Sequence, residues 1–383
     1  YILMMNVLTN KSCYGCGICA RICPQKLIDI KLNQEGFYEP FLVNENQCTN
    51  CGLCSSVCSF NFELPAVEPE CVHSFAAWSN DDSVRKKCSS GGVAFEIGRF
   101  LISSGYRICS VRYNSELDRA EHYIAYNVDE LWQSVGSKYI QSYTLDALRS
   151  IDRNEKYLFV GTPCQVDSMR RYVKKLKIED NFLFVDFFCH GVPSMLLWKK
   201  YVDSISKKIG HPTSVVWRNK STGWHDSYEI RAENDNEKKV YFSKKSHGDS
   251  FYSFFLSNVC LNKVCYSNCK YKFTSSAADI RLGDAWGYLY KNNESGVSIA
   301  VAFTEKGNSI LRQTDCELVE HNLEEIAEDQ LKNSISEPPA RKFVMSMLED
   351  RSKSIRNIQK SLFWYYRIDG IRKRIIRLFG IKR

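Results

Sequence analysis

Short apolar runs alternate with longer amphipathic stretches through the middle of this chain. The runs at 72–78, 107–113, 157–160, 182–188, 215–218, 228–232, 240–242 and 298–303 predict strands. Apolar positions recurring every three or four residues predict helices at 93–103, 165–176, 195–206 and 249–257. Strand–helix alternation, followed by strands without intervening helices, predicts an α/β domain with a mixed sheet over residues 74–340. The stretch 341–383 predicts a helical tail ending in FWYYRIDGIRKRIIRLFGIKR, where Ile371, Ile375, Ile376 and Phe379 recur at helical spacing opposite the arginines. Residues 64–73, with Pro65 and Pro69, predict a linker.

Residues 8–63 are too few to hold together by apolar burial alone, and cysteine spacing organises them instead. Cys13, Cys16, Cys19 and Cys23 form a C-x2-C-x2-C-x3-C run before Pro24, and Cys48, Cys51, Cys54 and Cys58 repeat it. Such a run gives three thiolates to one [4Fe–4S] cube and the fourth to its neighbour. One cluster is therefore expected on Cys13, Cys16, Cys19 and Cys58, the other on Cys48, Cys51, Cys54 and Cys23. Zinc, which favours two separate knuckles for four ligands, does not account for a tight run of four occurring twice. Ser59 stands where the second run would have its proline, which bears on the turn more than on ligation. The module is expected to act as a two-cluster, ferredoxin-like carrier of electrons.

With 383 residues the chain exceeds one ordinary core, and 44% hydrophobic residues argue against long disorder. Seventeen cysteines would suggest disulfides only in a small secreted chain; thiolate ligands need a reducing compartment instead. The chain opens with no basic region followed by an apolar stretch, and no run of about 18 apolar residues occurs, so a cytoplasmic location is expected. The net charge is +8, of which residues 361–383 contribute +6: seven Lys or Arg against Asp369. So uneven a distribution excludes a globally basic nucleic-acid binder. It leaves two readings of the tail, peripheral contact with a membrane or docking on protein.

Three further segments carry chemistry. Ser89, Ser90, Gly91 and Gly92 precede the helix expected from Val93; a cofactor pyrophosphate could bind such a start, and a simple serine-capped helix is the alternative. Gly161-Thr162-Pro163-Cys164 reads as strand, turn and helix, with Thr162 as cap, Pro163 at the first position and Cys164 in the first turn. Cys164 is then a ligand, a nucleophile or an inert buried thiol. The next strand ends at Cys189, at the same sheet edge, where ligands of α/β sheets bind. Cys260, Cys265 and Cys269 are too dense for core packing and suggest zinc or, preferably, a third iron–sulfur cluster. No Gly-x-Gly-x-x-Gly follows a strand, so no separate NAD site is expected. Trp224-His225-Asp226 could shape a substrate pocket, with a structural turn the simpler reading, and Arg170, Arg171, Lys174, Lys175 and Lys177 could attract an acidic cofactor tail, with a solvated helix face the simpler reading.

Taken in order, the cysteine runs, CSSGGVAFEIGRFLI, GSKYIQS, FVGTPCQVDSMR, DFFCHGVPS, CLNKVCYSNCKYK and ADIRLGDAWG resemble the coenzyme F420 hydrogenase/dehydrogenase beta-subunit family from Lys11 to about Gly287. The resemblance implies an FAD- and iron–sulfur-dependent oxidoreductase. It would pass electrons between a two-electron carrier, a deazaflavin or another organic substrate, and one-electron [4Fe–4S] centres or a ferredoxin-type redox partner. The alternative is an electron-relay subunit that feeds a separate catalytic protein and has no substrate of its own. By position the resemblance makes Ser89, Ser90, Gly91 and Gly92 FAD phosphate contacts, with Lys138, Tyr139, Gly161 and Thr162 near the flavin. Cys164, Cys189, Cys265 and Cys269 become the third cluster's ligands, with Cys260 the alternative, because the gap between Cys265 and Cys269 is one residue longer than the family's spacing.

Overall fold

The computed structural model describes residues 13–67, 73–267, 269–330 and 332–378, with side chains described as far as residue 368. A nine-stranded sheet forms its centre. In chain order the strands of the molecule are β1 (Ile28–Leu32), β2 (Tyr38–Leu42), β3 (His73–Ser79), β4 (Arg107–Asn114), β5 (Arg119–Ala125), β6 (Ser142–Tyr143) and β7 (Tyr157–Val160). Then come β8 (Phe182–Phe187), β9 (Ser214–Val216), β10 (Glu229–Asn234), β11 (Lys239–Lys244), β12 (Ile280–Asp284), β13 (Ser298–Ala302) and β14 (Cys316–Glu320). The central order is β14-β3-β13-β12-β8-β7-β4-β5-β6, with β12, β8, β7 and β4 mutually parallel. β11-β10-β9 form a separate antiparallel sheet, and β1 and β2 a hairpin.

The period of two along β7 and β8 divides the core into layers. Leu158, Leu183 and Val185 face the helices Val93–Ser103 and Glu305–Gln313 through Phe95, Ile97, Leu101 and Leu311. Tyr157, Phe159, Phe182 and Phe184 face the other way, onto Val166, Met169, Tyr172 and Val173 of helix Pro163–Leu176. Ile18, Ala20, Ile22, Ile28 and Ile30 of the cysteine-rich module join this same layer. The module therefore shares a core with the larger domain.

Most expected strands and helices occur within a few residues of their sequence positions. β1, β2, β5, β6, β12 and β14 were not expected, and of these β5 and β12 each carry charge inward. Glu121 of β5 is buried between Arg112 and Arg119. Arg281 of β12 is fully buried against Asp186 of β8. The helix face expected to be solvated differs as well. Arg170 is buried, paired with Asp279 at 2.8 Å and Glu179 at 2.9 Å, while Arg171 and Lys174 hold the carbonyls of Leu64 and Ala66. The run ties helix Pro163–Leu176 to the sheet and to the segment leaving the module.

At the far end, helix Arg341–Glu349 and the start of helix Ile355–Leu378 dock on the body. Val344, Met345, Leu348, Ile355, Ile358 and Leu362 enter the core around Trp198 and Phe251. The side chains of Ile371, Ile375, Ile376 and Phe379, on which the amphipathic expectation rests, lie outside the described residues.

Candidate metal centres and the sheet-edge site

Each cysteine run curls around a glycine. Gly17 and Gly52 precede the short helices Ile18–Ile22 and Leu53–Ser56 with φ of 74° and 72°, a left-handed conformation that lets successive thiols turn inward. Cys13, Cys16, Cys19 and Cys58 form one group. Burial raises the Cys19 thiol first, and its neighbours Cys16, Cys13, Cys58 and Cys54 raise it further. Cys58 is pushed up to about 11, by burial and then by Cys16. Cys23, Cys48, Cys51 and Cys54 line one cavity with Pro24, Leu27, Ile28 and Leu42. Cys51 is exposed, so this second group lies at the protein surface.

A third group forms at the edge where β7, β8 and β12 end. Thr162 starts helix Pro163–Leu176, its N–H donating to Gln165 Oε1 at 2.9 Å, and its Oγ1 lies 3.2 Å from Cys164 Sγ. Burial raises the Cys164 thiol, and Cys189, Cys265 and Cys269 add to the rise. Burial and then Cys189 push Cys265 up to about 12. Half-buried thiols crowded together in this way are costly as bare thiolates, and a bound cationic centre removes that cost. Cys260 lies apart, its thiol donating to the Phe254 carbonyl at 3.7 Å within an apolar core. Among the described residues no three His, Cys, Asp or Glu side chains gather tightly enough to hold a single ion. A cube separates its thiolates more widely than one metal ion does.

Tyr14 packs between the first and third groups. Its ring meets Phe60 at 5.5 Å and Tyr271 at 5.8 Å, and Cys164, Cys265 and Cys269 close the same cluster. The module is fastened around it. Gln141 accepts from the Tyr38 N–H at 3.0 Å and donates to the Tyr14 carbonyl at 3.2 Å; Asn262 donates to the Cys13 carbonyl at 3.1 Å. Buried Asp167 accepts from the Tyr271 hydroxyl at 2.5 Å and from the Ala66 N–H at 2.8 Å.

Ser89, Ser90, Gly91 and Gly92 reach the same sheet edge. Gly91 lies so close to the sheet that a Cβ there would meet the Ala77 carbonyl at 2.3 Å, and Gly92 has φ of +91°. The loop thus needs both glycines for its own path. No side chain caps the helix from Val93, which leaves its first N–H groups open to an anion. Ser89 accepts from Ser137 at 2.8 Å, joining the loop to the 136–139 turn. Lys138 is committed elsewhere: its ammonium donates to the carbonyls of Ser134 at 2.7 Å and Val135 at 3.0 Å, and burial lowers its pKa to about 7. Gly161 lies over Gln165 and Phe159, at the end of β7.

Arg218 was not singled out in the sequence, yet it binds this edge together. It is buried, donates to the Tyr139 hydroxyl and Asp284 at 3.1 Å each and to the Ser89 carbonyl at 3.3 Å, and lies over Tyr228 and Trp286. Burial pulls its pKa down, but Tyr139 and Asp284 beside it more than reverse that. Trp224 stacks on Trp286 at 4.2 Å. The ring nitrogens Trp224 Nε1 and His225 Nε2 are buried without a protein partner. An uncapped helix start, unpartnered ring nitrogens and an aromatic wall fit an anionic, heteroaromatic cofactor.

A cysteine-rich module sharing a core with a mixed α/β sheet, with a further thiol group at the sheet edge, defines an iron–sulfur protein of the electron-transfer class. Family models agree with that class. Those described as coenzyme F420 hydrogenase/dehydrogenase, beta subunit N-term and C terminus, match residues 74–149 and 154–325, and a 4Fe-4S dicluster domain matches 12–62. The chain belongs to the coenzyme F420 hydrogenase/dehydrogenase beta-subunit family and is an iron–sulfur oxidoreductase. No curated protein matches it. A solved structure, described as a xenon derivatization of the F420-reducing [NiFe] hydrogenase complex from Methanosarcina barkeri, is similar in general shape. It has 16% identity, 78% of this chain and 92% of that chain covered, and a TM-score of 0.47.

Proposed function

We propose that this chain is a flavin-dependent iron–sulfur oxidoreductase that exchanges electrons between a small two-electron carrier and a one-electron redox partner protein. The observation that carries this reading is the meeting of Cys164, Cys189, Cys265 and Cys269 on one side of Tyr14, with Cys13, Cys16, Cys19 and Cys58 on the other. Three four-thiol groups would hold three [4Fe–4S] clusters: those two, and Cys23, Cys48, Cys51 and Cys54 at the surface. Family membership supports a flavin as well, and the open helix start at Gly92 supports its pyrophosphate there.

When bound, a flavin exchanges two electrons with an organic carrier and single electrons with an iron–sulfur centre. The chain's own residues then have defined tasks. Ser89, Ser90 and Gly92 would present backbone N–H groups to phosphate, while the Gly91 N–H donates to Ser298 Oγ at 3.0 Å and anchors the loop on the sheet. Arg218 holds Tyr139, Asp284 and the Ser89 carbonyl in register. Lys138 braces the turn beside the loop, since its amine already serves the carbonyls of Ser134 and Val135. Tyr14, Phe60 and Tyr271 fill the space between two thiol groups and exclude water from it. Cys51, exposed, marks the side from which a redox partner would approach.

Anaerobic turnover tests the reading: reduced viologen as electron donor, with a deazaflavin or a quinone as acceptor, and the isolated chain as catalyst. Catalysed reduction of a two-electron acceptor is expected. A chain with its full iron and flavin content but no turnover with any such acceptor would be an electron-relay subunit instead.

A further inference from the structure

We propose that the C-terminal helix is an attachment site for an anionic membrane surface. Helix Ile355–Leu378 has 24 residues, a length of roughly 36 Å. Among the described residues the protein holds this helix at its beginning and again at Tyr365, whose ring stacks on Phe343 at 5.3 Å. Ile355, Ile358 and Leu362 are 4%, 0% and 6% exposed, and Gln359 accepts from Ser250 Oγ at 2.7 Å. Directly beyond them the character changes: Phe363, Trp364 and Ile368 are 61%, 55% and 62% exposed. The Arg367 guanidinium lies over the Trp364 ring at 5.4 Å. So many large apolar side chains exposed on neighbouring turns mark a surface that meets something else.

The sequence continues the pattern. Trp364, Ile368, Ile371, Ile375 and Leu378 follow one another at spacings of four, three, four and three, one stripe of an α-helix. At 3.6 residues per turn its described members, Trp364 and Ile368, fall roughly opposite Ile355, Ile358 and Leu362.

Charge selects the occupant. Arg367, Arg372 and Arg374 flank the stripe, and in a pairing of two copies these positions would set like charges against each other. Residues 361–383 carry +6 while the other 360 residues carry +2, so the body offers little acidic excess to a second copy. An anionic bilayer matches both features: basic residues near phosphate headgroups, with Trp and Phe at the boundary with the acyl chains. Among the described residues no helix is long and apolar enough to cross a membrane, so this one would lie in the interface.

The test is sedimentation of the anaerobically purified full chain with vesicles of phosphatidylcholine, alone or mixed with phosphatidylglycerol. Binding to the mixed vesicles is expected, with little to phosphatidylcholine alone and reversal by high salt. The triple variant Arg367→Gln, Arg372→Gln, Arg374→Gln, which removes the three charges flanking the stripe, should lose about two orders of magnitude in partitioning. Trp364→Ala with Ile368→Ala should lose binding while keeping iron content and thermal midpoint, because both side chains are already exposed. Equal binding to neutral vesicles, or unchanged binding by both variants, would overturn the proposal. So would a dimer in sedimentation velocity that dissociates in the Trp364→Ala, Ile368→Ala variant.

Discussion

Arg281 and Asp186 meet where neither touches water: Nε and Nη2 each lie 2.7 Å from a carboxylate oxygen, and both side chains are 0% exposed. Such a pair costs most when it is broken. Arg281→Met should destabilise the protein by about 3–5 kcal/mol in anaerobic denaturant unfolding, and Arg281→Met with Asp186→Leu should recover most of that. His122 predicts a pH effect. Burial lowers its pKa to about 4, and its Nε2 meets the Val160 carbonyl at 3.0 Å. Between the unfolded value near 6.5 and the folded one the unfolded chain binds more protons. The contribution is thus complete above that range and is lost as pH falls through it. From pH 7.5 to 6 the loss is about 0.8 kcal/mol, so a His122→Gln variant should show a shallower fall in stability over that interval. Parallel curves for the two proteins would refute the assignment. At this scale legibility depends on sequence separation. The cysteines of each run are neighbours in the chain, so spacing alone exposes them. The partners of Arg218 come from residues 79, 66 and 129 positions away, and nothing local signals them.

Elements divide by the same criterion. The start of helix Pro163–Leu176 was legible, since Thr162, Pro163 and Gln165 complete its cap within four residues. β12 was not, because IRLGD reads as polar until Asp186 arrives on the neighbouring strand. The Ser89–Gly92 loop separates two reasons for glycine. A Cβ at position 91 would run into backbone, the Ala77 carbonyl. At position 92 the obstacle is the φ of +91°, with Val84 and Ser79 side chains beyond 3 Å. Gly91→Ala should therefore cost about 2 kcal/mol or more, and Gly92→Ala about 1 kcal/mol. Thermal unfolding of the two variants checks that order, and the reverse order would contradict the close approach to β3.

At the scale of the molecule, the module and the sheet domain are one folded body with a shared core, although composition suggests two units joined by a linker. The reason is physical: ten isoleucine, alanine and cysteine side chains matter less for their hydrophobicity than for the aromatic layer they meet on β7 and β8. Gln141 is the polar pin of this contact. Gln141→Leu leaves the Tyr38 N–H and the Tyr14 carbonyl unpaired, and should cost about 2 kcal/mol and hasten proteolysis near residue 64. The account as a whole rests on what the thiol groups and the sheet edge hold. Anaerobic quantification of iron, acid-labile sulfide, zinc and acid-released flavin per polypeptide reads that directly. About twelve iron, about twelve sulfide and one FAD per chain are the predicted result. About eight iron, with zinc and no flavin, would contradict it and leave a ferredoxin module on a domain without redox chemistry of its own.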